Sequence, residues 1–351
     1  MTEIGTNASQ TKGEPVIAPA IAVVIPCFRV RKQILGVLAR IGAEVSKIYV
    51  VDDRCPEDSG DLVEERCTDP RVRVIRNPEN QGVGGAVMAG YQAAIADGAA
   101  VIVKVDGDGQ MDPALIPYFV APILAGRADY TKGNRFYDLT NINRMPKARL
   151  FGNAVLSFMS KLSTGYWHIF DPTNGYTAID ARVASYLHLH RISRRYFFET
   201  DILFHLNTLR AVVTDVPMDA VYSDENSSLV ISRVIGEFLL KHLRNFGMRL
   251  FLNYFLRDMT VATIELFAGL LLFGFGVVYG SIHWLHALAT KMPTPLGIIM
   301  LAALPTIAGL QMLLAFLSFD VANVPSRPIG ACMPPRVGRS TPRNGGLERS
   351  K

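Results

Sequence analysis

Cysteine is scarce and unpatterned in this chain: Cys27, Cys55, Cys67 and Cys332 form no C-x-x-C pair and no cluster with histidine. That spacing excludes a zinc ribbon and offers no disulfide framework, so a reducing compartment is expected. No Gly-Lys-Ser or Gly-Lys-Thr occurs, which rules out a Walker phosphate loop. The dinucleotide glycine pattern fails as well, because Val87 stands where the third glycine from Gly82 should be. No long basic stretch alternates with aromatic residues, and the net charge is only +5. Nucleic acid is therefore not expected as a partner; so mild a charge suits an anionic membrane surface or a phosphorylated substrate. Residues 1–19 have no apolar run of the kind a signal peptide needs, and a disordered tail is expected there.

What the chain does have is length and apolar surface. Its 351 residues suffice for one large or two ordinary domains. Apolar residues make up 49% and the mean hydropathy is +0.22, an excess that collects near the C-terminus. VATIELFAGLLLFGFGVVYGSIHWL (261–285) holds Glu265 as its one charge, and LGIIMLAALPTIAGLQMLLAFLSF (296–319) holds none. Each is long enough to cross a bilayer core, which takes about 20 apolar residues. Glu265 lies within a turn of the expected interface, where its carboxylate can snorkel. Before the first span, residues 229–257 are amphipathic, with Arg233, Lys241, Arg244, Arg249 and Arg257 among large apolar residues, a pattern suited to the membrane interface. Lys291 is the one basic residue between the spans, whereas Arg327, Arg336, Arg339, Arg343, Arg349 and Lys351 follow the second. The positive-inside rule then places both termini in the cytoplasm. Gly269, Gly274 and Gly276 permit close helix packing and hence a homo-oligomer.

From residue 20 onward, apolar runs of strand length alternate with helical patterns. IAVVIP (21–26), KIYVVDD (47–53), RVRVIRN (71–77) and AAVIVKVD (99–106) predict strands, with helices near 31–43, 57–67 and 82–97. This alternation predicts an α/β domain whose mostly parallel sheet is covered on both faces. Ligands of such sheets bind beyond the carboxyl ends of the strands, where Asp52, Asp53, Asn77, Asn80 and Asp106 fall. Further along, a helix starting at Asp112-Pro113, a strand through DYTKGNR and a helix over roughly 146–163 are predicted. The segment FDPTNGYTAID, a helix over about 199–210 and a strand at VVTDVP complete the domain.

The stretch DGDGQ (106–110) sets two carboxylates two residues apart at the end of the fourth strand. An EF-hand loop starting at Asp106 would need glycine and glutamate where Met111 and Pro117 stand. A turn accounts for the glycines but leaves Asp106 and Asp108 repelling each other. A hard divalent cation removes that repulsion and keeps coordination positions for substrate phosphates, and Gln110 adds a neutral oxygen at the same spacing. Upstream, NPENQGVGGAVMAG (77–90) lets a helix N-terminus approach either a ligand or another element closely.

These elements together resemble the family two glycosyltransferases of the GT-A fold, in particular their dolichyl-phosphate mannose synthase-like, polyprenyl-phosphate glycosyltransferase branch. AVVIPCF is similar to the family's opening strand V-V-I-P-x-x-N-E, and VDDRCPEDSGD to V-D-D-x-S-x-D-x-T. NQGVGGAVMAG resembles N-x-G-x-G-x-A-x-x-x-G, DGDGQMDP resembles D-x-D-x-Q-x-x-P, and FDPTNGY resembles an acceptor-side D-x-x-S/N-G-F/Y segment. The likeness spans roughly residues 20–230 and includes the two-span tail. It implies that Pro26, Asp52, Asp53, Asn80, Gly82 and Gly84 surround the nucleotide-sugar, and that Asp106, Asp108 and Gln110 hold Mg²⁺ or Mn²⁺ against its diphosphate. Arg135 matches a basic position after the fifth strand and either contacts phosphate or forms a surface ion pair. Asp171 is expected to orient or activate the acceptor, unless it only shapes the turn before Pro172. Glu199 and Asp201 are the other acceptor-side acids, with Glu199 equally able to cap the following helix; Arg149, Arg194 and Arg195 are candidates for acceptor phosphate. Two departures stand out: Phe28-Arg29 replaces the family's Asn-Glu, and Cys55 replaces its serine. The processive polysaccharide synthases of the family carry Q-x-x-R-W, and neither Trp167 nor Trp284 lies in that context.

The resemblance implies a metal-dependent glycosyltransferase moving one sugar from a UDP- or GDP-sugar to undecaprenyl or dolichyl phosphate at the cytoplasmic face of the cell membrane. No nucleophile for a covalent intermediate is evident, so direct displacement with inversion is expected. Transfer to a glycan or other lipid hydroxyl, or a non-catalytic scaffold of the same fold, are the alternatives. The expected division is a tail (1–19), a GT-A domain (20–228), amphipathic juxtamembrane helices (229–258), two spans (259–322) and a basic disordered tail (323–351).

Overall fold

The β-branched runs lie side by side in one sheet. In a computed structural model describing residues 19–137, 147–219 and 231–334, its strands are β1 (Ile21–Cys27), β2 (Val45–Asp52), β3 (Val72–Arg76), β4 (Val101–Lys104), β5 (Tyr130–Asn134), β6 (Thr177–Asp180) and β7 (Val213–Pro217). Their order is β3-β2-β1-β4-β6-β5-β7. Only β6 runs against the others, pairing antiparallel with β4 on one side and β5 on the other. The expected α/β architecture with a mostly parallel sheet is therefore the one observed. The FDPTNGYTAID segment, for which no element is predicted, supplies β6; at four residues the strand has no periodicity of its own and is held by the strands on its two sides.

Alternate residues of β1 serve two cores. Ala22 and Val24 pack with α3 (Gly82–Ala96), α6 (Ala181–Tyr186) and α7 (Phe198–Leu209). Val23 and Ile25 pack with α1 (Ile34–Ala39), α2 (Ser59–Arg66) and α4 (Ile116–Leu124). Both faces are thus covered, as a parallel sheet requires. The strand order reverses between β1 and β4, which opens a crevice at their carboxyl ends. Pro26 is tolerated there because β4 pairs with β1 only as far as Val24, so the missing N–H has no ladder partner to fail.

Helix α5 (Lys147–Thr164) packs on α8 (Ile231–Leu250), which a π-helical turn extends through Arg257. Two helices long and apolar enough to cross a membrane follow, α9 (Val261–Thr290) and α10 (Leu296–Ala322). Thr260 and Thr263 form a reciprocal capping box at the start of α9. Helix α8 exposes Leu239, Leu240, Leu243 and Met248, as an interfacial face would. One of its expected interface cations behaves otherwise: Arg249 is buried and grips Asp320 of α10, Nη1 to Oδ1 at 2.6 Å and Nη2 to Oδ2 at 3.0 Å. Asp320 also accepts from Trp167 Nε1 and the Tyr254 hydroxyl, while Arg249 donates to the Leu162 carbonyl. The reason is local: two charges shielded from water must pair, and they pair with each other.

The expected basic tail divides in two. Residues 335–351 lie outside the described residues, as do 1–18 of the N-terminal tail. Residues 323–334 return to the α/β domain as an ordered strap. Asp129 accepts from Ile329 N and Gly330 N as well as from Val212 N, Arg210 binds Asn323, and Val324, Ile329 and Met333 cover the core. The disorder expected from its Pro, Gly and Arg content is overridden by these backbone bonds.

Asp320→Ala is expected to lower stability by about 3–5 kcal/mol, because it leaves the Arg249 guanidinium buried without its counter-ion. Thermal unfolding of the detergent-solubilised protein checks this.

Candidate active site

The carboxyl ends of β1, β2, β4 and β5 converge on the crevice, and the sequence places acids at most of them. Those after β2 are engaged with the chain. Asp52 accepts from Cys55 N and Gly60 N, holding the loop that leads into α2. Asp53 is buried; its Oδ1 accepts from Gln81 N and Asn77 Nδ2, and its Oδ2 accepts from Gly82 N at 2.7 Å. It thus fixes the N-terminus of α3, and Asn80 Nδ2 returns a bond to the Asp53 carbonyl. The glycine segment packs against another element: Gly85 N donates to the Arg194 carbonyl, and a Cβ at Gly84 would stand 2.6 Å from the Ser193 carbonyl. Of the two roles open to Gly82 and Gly84, the structure shows close packing: the Gly82 amide faces Asp53, and a Cβ at either glycine would meet the 193–195 backbone. Arg194 and Arg195 contribute that backbone and leave their side chains exposed. The side chain of Arg149, in the first turn of α5, lies outside the described residues.

After β4 the arrangement differs. Asp108 Oδ1 accepts from Gln110 N at 2.9 Å, an Asx-type turn that keeps Asp108 and Gln110 beside Asp106. Lys104, the last residue of β4, is 1% exposed, and its Nζ lies 2.8 Å from Asp106 Oδ1 and 3.6 Å from Glu199 Oε1. It donates to the Gly175 carbonyl at 3.0 Å. The contact with Asp106 is one of charge, off the directions of a hydrogen bond, so that buried Oδ1 has no directed donor. Two carboxylates and an amide oxygen are hard donors, and the orphaned oxygen suits a cation that brings other ligands with it. Among the described residues no three His, Cys, Asp or Glu side chains cluster, so substrate oxygens or water would complete such a site.

Glu199 and Asp201 stand two apart in the first turn of α7 and therefore on different faces. Glu199 faces the lysines; burial pushes its carboxyl up, against the pull of Lys104 and Lys132. Asp201 turns away, accepting from Ser193 N and Asn245 Nδ2, so it joins α7 to α8. Asp171 is buried under Arg135, which binds it twice, Nε to Oδ2 at 2.7 Å and Nη2 to Oδ1 at 3.0 Å. The alternatives for Arg135 thus meet in an ion pair, and Asp171 is held as a counter-ion with no open carboxylate for a base.

Two residues were missed in the sequence. Lys104 and Lys132 both oppose Thr177 across β6, one from each side. Burial lowers the Lys132 pKa to about 8, and its Nζ donates to the Asn174 carbonyl. Burial also acts against the Lys104 ammonium, but the Asp106 and Glu199 carboxylates outweigh it and leave its pKa raised. The available signal was a lysine inside an otherwise apolar strand, VIVKV, and another in YTKGN.

Residues 22–187 match the Glycosyl transferase family 2 model, a little under half of the chain. Among curated relatives, an undecaprenyl-phosphate mannosyltransferase of Micrococcus luteus is 27% identical over 62% of this chain and 90% of its own length. A polyprenol monophosphomannose synthase of Mycolicibacterium smegmatis is 28% identical over 56% of this chain and 75% of its own. Among solved structures, glucosyl-3-phosphoglycerate synthase from Mycobacterium tuberculosis with UDP superimposes with a TM-score of 0.52 at 17% identity, covering 65% of this chain and 80% of that one, a likeness that speaks for the fold.

Between pH 8 and the ordinary lysine range, the unfolded chain holds a proton that folded Lys132 has lost. Stability therefore rises with pH across that window, by about 3 kcal/mol for this group. Lys132→Met should lack that rise, and the difference between the two melting-temperature profiles against pH measures it.

Proposed function

We propose that this protein is a membrane-anchored, inverting glycosyltransferase that moves one sugar from a nucleoside-diphosphate sugar, UDP- or GDP-linked, to a polyprenyl phosphate at the cytoplasmic face of the membrane. The carrying observation is the Asp106–Asp108–Gln110 turn at the end of β4, in contact through Lys104 with the Gly175 turn before β6. The names of the curated relatives agree with this reading, as does the pair of long apolar helices at the C-terminal end.

Asp106, Asp108 and Gln110 would hold Mg²⁺ or Mn²⁺, whose bound charge offsets that developing on the departing diphosphate. Asp52 and Asp53 shape the loop and helix that border the nucleotide, beside Pro26 and Asn80. On the acceptor side every candidate acid is engaged: Asp171 with Arg135, Asp201 with Ser193 and Asn245, and Glu199 with the lysines. A hydroxyl acceptor needs a base to take its proton. A polyprenyl phosphate is already anionic and needs positioning instead. The engaged acids favour the phosphate, with Arg135 steadied by Asp171 as the group that meets it. Arg194 and Arg195, exposed beside α3, and Arg149 are further cations for phosphate or headgroups. The amphipathic α8 and the basic residues outside the spans support the cytoplasmic orientation.

Membranes containing the protein, incubated with labelled UDP- and GDP-sugars and undecaprenyl phosphate, should form one lipid-linked sugar in a cation-dependent reaction. Asp108→Ala should reduce its formation by about a hundredfold or more while the protein stays folded. Failure of every donor to give a cation-dependent lipid product would defeat the reading.

A further inference from the structure

The cation beside Asp106 is built into the sheet. Lys104 is held by its backbone in β4 with its side chain 1% exposed; its Nζ donates to the Gly175 carbonyl and stands in charge contact with Asp106 Oδ1 and Glu199 Oε1. It has no room to swing away. A Cβ at Gly175 would fall 2.5 Å from Nζ and 2.7 Å from Asp106 Oδ2, so turn, ammonium and carboxylate are in contact on every side. Asp106 therefore carries a permanent counter-ion on the oxygen that a divalent cation would also use. A cation arriving alone meets a carboxylate already neutralised and an ammonium that repels it. A cation arriving on a diphosphate brings negative charge of its own, which the ammonium attracts.

We propose that Lys104 is a positioning residue, the resident counter-ion of Asp106, which makes divalent-cation binding depend on the nucleoside diphosphate. This rests on the assignment of Asp106 and Asp108 to the cation. The same ammonium binds the Gly175 carbonyl, so the donor-side carboxylate and the acceptor-side turn share one fixed charge.

Mn²⁺ titration of the purified full chain, followed by electron paramagnetic resonance, tests this without turnover. The wild type should bind Mn²⁺ weakly alone and about tenfold or more tightly with UDP or GDP. Lys104→Met and Lys104→Gln should bind Mn²⁺ alone about tenfold more tightly than wild type, with little further gain from nucleotide, while Lys104→Arg keeps the wild-type pattern. Neutral variants that are folded by circular dichroism but bind Mn²⁺ alone no better than wild type overturn the counter-ion role. Should both neutral variants fail to fold, the wild type decides, because tight Mn²⁺ binding that ignores nucleotide also overturns it. Asp108→Ala separates the two levels: loss of all Mn²⁺ binding upholds the cation site, and a wild type that binds no Mn²⁺ even with UDP or GDP overturns site and counter-ion together.

Discussion

A lysine ammonium enclosed in a β-sheet imposes conditions on everything around it. Lys104 must find partners without water, and the three it finds, one carbonyl and two carboxylates, come from the turn before β6, from the loop after β4 and from α7. Those are the parts that carry the candidate cation ligands and the turn at Gly175. Lys132 repeats the requirement one strand beyond β6, reaching the Asn174 carbonyl next to it. Thr177 lies between the two lysines, so the short antiparallel strand separates and spaces two buried cations. The polar interior is thus a lattice of charge, and its geometry fixes the crevice above it.

The carboxylates follow one rule with two outcomes. Most of them shape the chain. Asp52 and Asp53 hold a loop and a helix start, Asp201 joins α7 to α8, Asp171 fastens Arg135, and Asp129 receives the strap. Asp106 differs, because its partner contributes charge without a directed bond and leaves an oxygen lone pair for another ligand. Buried acids are costly unless they are paired. The acid that is only half-satisfied is the one suited to a cation.

A second buried pair connects the catalytic domain to its apolar helices. Arg249 and Asp320 bring α8, α10 and the 162–167 turn to one point, and the strap that follows α10 closes on Asp129. The catalytic domain is therefore gripped from both ends of the apolar hairpin.

Much of this was legible in the sequence. Apolar runs alone predict the first four strands and the two long apolar helices, since a strand buried on both faces and a helix able to cross a bilayer each need an unbroken apolar run. The D-x-D turn was legible for a similar reason: adjacent like charges at a strand end call for an explanation, and a cation supplies one. Tertiary structure alone decided which acids are available. Whether Asp53, Asp171 or Asp201 faces a ligand depends on donors supplied by Gly82, Arg135 and Asn245, which are 29, 36 and 44 residues away along the chain. It likewise decided that β6 forms, that residues 323–334 dock, and that Arg249 is interior. Each of these depends on a partner distant in sequence, and periodicity reports only on neighbours.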